Sequence, residues 1–180
     1  MSLRAGIAPA EAMRVPRRSV LLVCALFLCP LPAEAVRKTV SFEGYFPGSV
    51  VVKTKERRLY YVLPGGKAVR YPVGVGRAGK SWTGSVFITG KYRNPDWSPP
   101  ADVKRDNPRL PDVIKGGTPE NPMGVAALLL SGGGQYAIHG TNRPGSVGRF
   151  VSYGCFRMYN DDVRDLFDRV FVGTPVIVAQ

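Results

Sequence analysis

Two residues of this chain have the chemistry for acyl transfer, and they lie sixteen positions apart. His139 is the only histidine and Cys155 is one of three cysteines, and each has a glycine beside it. A thiolate is a strong nucleophile, but a free thiol is only a few per cent ionised at neutral pH. A neighbouring imidazole can accept the thiol proton and later return it to a leaving amine. The pair is therefore the smallest side-chain set that cysteine-dependent acyl transfer requires.

The residues around Cys155 favour this reactive interpretation. Gly154 removes a side chain just before the thiol, which allows a tight turn and a close approach of substrate. Backbone N–H groups of such a turn could form an oxyanion hole. Arg157, two residues after the thiol, would favour the thiolate and could bind a carboxylate if the segment is extended.

Composition and spacing alone leave other roles open for His139 and Cys155. A free cysteine is commonly buried and inert, an odd thiol can form an intermolecular disulfide, and a lone histidine at a strand end is commonly structural. Composition does exclude some classes of site. Any Ser-His-Asp triad would have to use His139, and one chain cannot build a zinc site of the usual His/Cys type. We expect neither a metal nor an organic cofactor.

The N-terminal segment has the pattern of a secretory signal peptide. Arginines precede a short apolar run, SVLLVCALFLCPL, and an A-x-A pattern ending at Ala35 follows it. The run is shorter than the ~20 residues that a membrane-spanning helix needs, so we expect cleavage rather than an uncleaved anchor, and no stable membrane span afterwards. Cys24 and Cys29 would leave with residues 1–35. We therefore expect a single exported domain, 36–180, in the periplasm or cell envelope, with Cys155 as its only thiol.

The exported part would carry a strong positive charge. Removing 1–35 leaves 145 of the 180 residues, lowers Lys plus Arg from 25 to 21 and Asp plus Glu from 13 to 11, and leaves a net charge of about +10. Such a domain favours an anionic partner, which could be nucleic acid, lipid headgroups or a carboxylate-rich wall polymer. No nucleic-acid-binding motif accompanies the charge, so we expect no nucleic acid partner.

The elements that must position the pair are mostly strands. Short runs rich in Val, Tyr, Phe and Ile fill the first half, and LPGGK (63–67) predicts a hairpin turn between two of them. VAALLLS and QYAIHG predict a second hairpin that ends near His139, and TPVIV predicts a final strand. The sum is a mostly β domain, a sandwich of two packed sheets with one or two short helices.

Two helices and one irregular segment interrupt the strands. Val163, Leu166, Phe167 and Val170 have the spacing of a buried helical stripe, in a helix that Asn160 could N-cap. The proline-rich segment 93–124 has no apolar period, and we expect it to form an ordered lid or groove wall. Within it, Ser98 could cap a short helix through ADVKRD.

The glycine-flanked pair also resembles a known signature. AIHGTN followed by SYGCFRMYNDDVRDLF is similar to the catalytic motif of the L,D-transpeptidases, the YkuD-domain family of peptidoglycan enzymes. The upstream stretches WTGSVFITGKYRNPDWSPP and NPMGVAALLL resemble the family as well, so the likeness runs from about residue 50 to 180. Two departures are visible: Tyr153 stands where many members have a second histidine, and WTGS lacks the usual proline.

The resemblance implies a role for each residue of the motif. Cys155 would be the nucleophile and His139 its base, with the imidazole oriented by a backbone carbonyl at Gly140 rather than by an acidic side chain. Backbone N–H groups of the turn would hold the oxyanion, Arg157 would line the site, and Ser152 would brace the turn. The implied oxyanion donors are Tyr153, Gly154 and Cys155.

The resemblance further implies the reaction. Cys155 would form a thioester at the third-residue diamino acid of a peptidoglycan stem peptide, with loss of the terminal D-alanine. An amine would then capture the thioester, giving a 3→3 cross-link or a tether between an envelope protein and the wall. Two alternatives remain: an L,D-carboxypeptidase or endopeptidase of the same fold, in which water is the acceptor, and a non-catalytic wall-binding module.

Overall fold

The computed structural model describes residues 37–133 and 135–180. The predicted signal peptide, 1–35, lies outside these residues. Within the described ranges, no helix has both the length and the apolar character needed to cross a membrane.

Eleven strands and two α-helices make up the part of the chain that the structure describes, together with a 3-10 turn at Pro144–Ser146. The helices are α1 (Ala101–Asp106) and α2 (Asn160–Arg169). The strands are β1 (Lys38–Ser41), β2 (Val50–Lys53), β3 (Arg58–Leu63), β4 (Lys67–Pro72), β5 (Val75–Gly76), β6 (Gly84–Arg93), β7 (Ala126–Leu130), β8 (Ala137–His139), β9 (Phe150–Ser152), β10 (Phe156–Arg157) and β11 (Pro175–Ala179).

Nine strands form one continuous curled sheet, in the order β1-β4-β3-β2-β11-β6-β7-β8-β10. Strand β6 joins its two halves, because its first residues pair with β11 and the rest, from Ile88 onward, pair with β7. An irregularity in register between Ile88 and Gly90 marks the change of partner, as bulges often do where a strand bends between sheets. The mostly β, two-sheet prediction is confirmed, with the two layers sharing β6.

The strand sequences explain why both faces of the first half-sheet are covered. Val50 and Val52 of β2 point into the main core, whereas Val51 between them belongs to a smaller cluster on the opposite face. Tyr60 and Phe42 stack in that outer cluster, with ring centroids 4.2 Å apart. A strand that is buried on both faces has a continuous apolar sequence, and the three valines of β2 are such a sequence.

Helix α2 packs on the core through the predicted stripe. Val163, Leu166 and Val170 are fully buried, and Phe167 packs at the edge. The predicted cap is wrong: Tyr159 occupies the N-cap position without a side-chain bond, and Asn160 is the first helical residue. The side-chain oxygen of Asn160 instead accepts the backbone N–H of Thr141, 3.0 Å away. A backbone donor from a distant segment therefore engages a side chain whose type alone suits capping.

The segment 93–124 is ordered around a single buried amide. The Nδ2 group of Asn121 donates to the carbonyls of Pro95, Ile114 and Lys115, and its Oδ1 accepts the N–H of Met123. Helix α1 lies in this segment as predicted, but its N-cap is Pro100 and no side chain caps it. Ser98 is therefore not the cap, because two prolines separate it from the helix, which starts two residues further on than a serine cap would require.

Candidate active site

Parallel pairing of two short strands brings the cysteine next to the histidine strand. Strand β10 pairs with β8 so that Phe156 faces Ile138 and Arg157 faces His139. Cys155 directly precedes β10, and a cavity of about 340 Å³ opens where the two strands meet. Five of the predicted site residues line this cavity: His139, Ser152, Tyr153, Cys155 and Arg157.

The imidazole of His139 is buried and neutral. Only 4% of the residue is exposed, and Nδ1 lies 2.6 Å from the carbonyl oxygen of Gly140. A carbonyl can only accept, so Nδ1 carries the proton and Nε2 keeps the lone pair. Burial lowers the pKa of His139 to about 4, the positive charge of Arg157 adds to this, and backbone hydrogen bonds to Gly140 and Pro122 act in the opposite direction. The ring is therefore neutral at neutral pH.

The thiol of Cys155 is neutral in the same resting state. Burial raises its pKa, while a hydrogen bond from the backbone of Ala137 and the charge of Arg157 pull in the other direction. The sulfur lies 3.6 Å from the carbonyl oxygen of Gln135. A raised thiol pKa beside a lowered imidazole pKa describes a thiol and a neutral base, not a preformed thiolate–imidazolium pair.

A serine braces the turn that presents the thiol. The hydroxyl of Ser152, a buried residue, donates to the carbonyl of Cys155 at 2.6 Å and accepts the N–H of Gly154 at 3.1 Å. Gly154 has φ +122°, in the region that side chains rarely adopt. The N–H of Gly154, one of the three oxyanion donors that the resemblance implies, is therefore already bonded within the turn.

An aromatic group that the sequence does not single out supports this turn from below. The indole Nε1 of Trp82 donates to the carbonyl of Gly154 at 2.9 Å, and its ring stacks on Tyr136 with centroids 4.9 Å apart. Phe156 packs against the same indole at 5.6 Å. These contacts fix the peptide before the thiol, and they come from a residue 72 positions away along the chain.

Arg157 is a half-buried cation without a carboxylate partner among the residues that the structure describes. Burial lowers the pKa of its guanidinium, and the nearby charge of Arg143 lowers it further. A desolvated charge is costly unless it is paired. The cavity therefore holds a positive charge suited to an anionic group of a ligand.

The segment 93–124 forms one wall of the cavity and is tied down by polar contacts. Asp106 of α1 accepts the phenol of Tyr153 at 2.6 Å and pairs with Arg77 at 2.9 Å. The Arg77 guanidinium also lies over the Tyr153 ring, 4.1 Å from its centroid. Asp102 pairs with Lys80 from the loop before β6. Tyr153, the residue that departs from the family pattern, thus joins the cysteine turn to α1.

A second cavity, of about 400 Å³, lies on the other side of this wall. The two cavities share five lining residues: Trp97, Val103, Pro122, Tyr153 and Arg157. Arg143 and Glu120 line the second cavity only, so it carries charges of both signs. Two concave spaces therefore meet beside the histidine and the cysteine.

Comparison with known proteins agrees with this geometry. A family model described as the L,D-transpeptidase catalytic domain, YkuD, matches residues 47–178. The chain belongs to the L,D-transpeptidase family. The resemblance inferred from the two glycine-flanked motifs is therefore confirmed.

Relatives of this L,D-transpeptidase domain include enzymes of several bacteria. The probable L,D-transpeptidase ErfK/SrfK of Escherichia coli strain K12 is 38% identical over 159 residues, 81% of this chain and 50% of that protein. The putative L,D-transpeptidase YqjB of Bacillus subtilis strain 168 is 35% identical over 76% of this chain and 75% of its own length. The chain spans about half the length of the Escherichia coli relative.

The fold is that of solved L,D-transpeptidase structures. An L,D-transpeptidase from Mycobacterium smegmatis superposes with a TM-score of 0.57 and 21% identity, covering 73% of this chain and 58% of that one. At that identity the likeness is one of architecture. It agrees with the curled sheet and the short helices described above.

Proposed function

We propose that this domain is a cysteine-dependent L,D-transpeptidase that acts on peptidoglycan stem peptides in the cell envelope. The observation that carries the proposal is that one cavity is lined by Cys155, a neutral His139 and Arg157, which has no carboxylate partner within residues 37–133 and 135–180. Membership of the family supports the reaction class. In this proposal Cys155 is the nucleophile, His139 is the base, and Arg157 is the cation that binds a substrate carboxylate.

In the first step the sulfur of Cys155 attacks the carbonyl carbon of the third stem residue, a diamino acid, while Nε2 of His139 takes the thiol proton. The resulting tetrahedral oxyanion accepts hydrogen bonds from the backbone N–H groups of Tyr153 and Cys155. The bond from carbon to the nitrogen of D-alanine then breaks, and the imidazolium returns the proton to that leaving amine. The products are a thioester on Cys155 and free D-alanine.

In the second step an amine attacks the thioester. Neutral His139 accepts the proton of the attacking amine, the carbon–sulfur bond breaks, and the sulfur takes the proton back as a thiol. The acceptor is the side-chain amine of a second stem peptide, which gives a 3→3 cross-link, or an amine of an envelope protein, which gives a tether to the wall. The second cavity supports transfer over hydrolysis, because it adjoins the first and offers Arg143 and Glu120 to an acceptor that carries both charges.

Arg157 is expected to bind a stem carboxylate, which predicts a defect confined to substrate binding. Changing Arg157 to Met should lower kcat/KM about 10-fold or more, mainly through KM, because a charge-assisted hydrogen bond is lost. Arg157→Lys should recover only part, since an ammonium cannot form the two-point contact. D-alanine release from a purified tetrapeptide, measured over a range of substrate concentrations, gives both constants.

The matched control is Arg149→Met, which removes the same charge from an exposed residue of the loop before the motif. We expect its constants to stay within about two-fold of wild type, since long-range charge effects are screened at physiological salt. Equal losses in the two variants would mean that net charge, and not the placement of Arg157, attracts the substrate.

Intact mass measurement tests the proposed nucleophile. A carbapenem should add one adduct to the purified chain, a Cys155→Ala variant should show none, and that variant should release no D-alanine from a tetrapeptide. The same spectrum reports the proposed export, because cleavage after Ala35 predicts a mass that starts at residue 36. D-alanine release at the wild-type rate by Cys155→Ala would refute the mechanism, and product formed with water alone would make the domain a carboxypeptidase.

A further inference from the structure

We propose that Asn160 is a positioning residue for His139 and acts through the peptide group between Gly140 and Thr141. The inference rests on the proposed function, in which His139 is the base. Asn160 is the first residue of helix α2 and does not line the cavity beside Cys155.

One peptide group links the two side chains. Its carbonyl oxygen, on Gly140, lies 2.6 Å from Nδ1 of His139, and its N–H, on Thr141, donates to Oδ1 of Asn160 at 3.0 Å. The imidazole and the amide thus bind opposite ends of the same rigid, planar unit. Any rotation of that unit that breaks one hydrogen bond also strains the other.

The packing around the amide leaves Asn160 little freedom. A Cβ atom added to Gly140 would lie 2.3 Å from Oδ1 of Asn160, and one added to Gly124 would lie equally close to it. Both glycines therefore allow the side-chain oxygen to approach two backbone segments at once. Thr141 is itself buried, and its hydroxyl accepts the N–H of Arg143 at 3.0 Å, which holds the following turn.

The hydrogen bond from Thr141 to Asn160 affects the Gly140 carbonyl in two ways: it fixes the direction of the oxygen and it strengthens that oxygen as an acceptor. A hydrogen bond to a peptide N–H polarises the carbonyl of the same peptide, so the Gly140 oxygen becomes a better acceptor for Nδ1–H. A fixed acceptor holds the ring in the tautomer that leaves Nε2 free for the thiol proton. In cysteine and serine enzymes with an acidic or amide third member, that side chain contacts the histidine directly. Here the amide of Asn160 acts one peptide group away.

Helix α2 does not explain this asparagine. Tyr159 is the N-cap, no side-chain bond caps the helix, and the Asn160 oxygen points to the strand that carries His139. Removing the amide should therefore disturb the Gly140–Thr141 peptide more than it disturbs the helix.

The test compares Asn160→Ala with Asn160→Asp and uses Asp161→Ala as the matched control. Asp161 is the next residue of the same first turn, is exposed, and pairs with Arg164. We expect Asn160→Ala to lower kcat for D-alanine release about 10-fold, with KM changed less than about two-fold, because the defect is in the base and not in binding. Asn160→Asp keeps an oxygen acceptor and should stay within about three-fold of wild type, as should Asp161→Ala.

Nitrogen-15 NMR of the imidazole gives a readout that a purely structural role would not move. His139 is the only histidine, so one pair of ring signals reports it without assignment ambiguity. The wild type should show a single tautomer with a downfield Nδ1 proton, and Asn160→Ala should shift that proton upfield and mix the tautomers. Asn160→Asp and Asp161→Ala should keep the wild-type pattern.

The outcomes separate this proposal from the proposed function. An Asn160→Ala protein with wild-type kcat and an unmoved Nδ1 signal overturns the positioning role, and so does an Asn160→Asp protein that falls as far as the alanine variant. Should Asn160→Ala fail to fold, the wild-type spectrum decides instead, since the absence of a bonded Nδ1 proton contradicts the proposal. A Cys155→Ala protein that still releases D-alanine would refute the chemistry while leaving the NMR result to stand by itself.

Discussion

Replacing His139 by glutamine is expected to lower D-alanine release roughly 10³-fold, the usual scale for removing a general base. The thiol pKa of Cys155 is raised by burial, so without the imidazole almost no thiolate forms at neutral pH. Glutamine has a similar volume and remains neutral, so the loss reports proton transfer and not a cavity. Single-turnover acylation of the purified chain, followed by intact mass, measures the step directly. A rate within about ten-fold of wild type would show that another group takes the proton.

The same substitution is expected to make the protein more resistant to mild acid. Burial lowers the pKa of folded His139 to about 4 from its ordinary value of 6.5. Between these values the unfolded chain binds a proton that the folded chain does not, so the free energy of unfolding falls as the pH falls from 6.5 to 4. The contribution amounts to about 2.5 kcal/mol between pH 7.5 and pH 4.5.

Urea titrations of wild type and His139→Gln at pH 7.5 and pH 4.5 measure that difference. The wild type should lose the free energy attributed to the histidine, and the variant should not, while the carboxylates contribute alike to both proteins. Equal losses in the two proteins would mean that the folded imidazole titrates near its ordinary pKa. It would then be partly protonated at neutral pH, and burial would not hold it in the neutral form.

Replacing Gly154 by alanine is expected to be the most damaging change that leaves every side chain of the site in place. The residue has φ +122°, and an added Cβ would lie 2.4 and 2.9 Å from ring carbons of Tyr136. Tyr136 cannot yield easily because it stacks on Trp82, which in turn donates to the Gly154 carbonyl. We expect a loss of about 3 kcal/mol in the free energy of unfolding, from strain and overpacking together.

Gly154→Ala should also lower the rate of the reaction, by more than the loss of stability alone would cause. The next residue is the nucleophile, and a displacement of ~1 Å at a reacting atom can lower a rate about 100-fold. Gly173→Ala is the matched control, since Gly173 also has positive φ (+93°) but nothing lies near its added Cβ. We expect that control to lose about 1 kcal/mol of stability and no activity. Similar acylation rates in the two variants would contradict the tight fit described for the cysteine turn.

Several elements of the fold could be predicted because their causes are local. The hairpin between β3 and β4 follows from the glycines of LPGGK, and the buried stripe of α2 follows from the spacing of Val163, Leu166 and Val170. Two cap predictions failed, each for its own reason. Ser98 and Asn160 are good capping residues, but two consecutive prolines separate Ser98 from its helix, and the backbone N–H of Thr141 engages the side chain of Asn160.

The sequence by itself determined the chemistry that this protein has available. One histidine and one cysteine outside the N-terminal apolar run, each beside a glycine, predicted the pair of residues to examine. The motifs around them predicted the family, and the short apolar runs predicted the mostly β fold. Those features depend on residue type and on spacing along the chain, which a sequence states directly.

Only the tertiary structure decided the state of those residues. The lowered pKa of His139, the bonding of the Gly154 N–H to Ser152, the support from Trp82 and the contact of Asn160 with Thr141 all depend on groups brought together from distant parts of the chain. Desolvation and hydrogen-bond geometry depend on how the folded chain surrounds these groups. For this reason a reactive pair can be found in a sequence, while its protonation and its supporting contacts must be found in the fold.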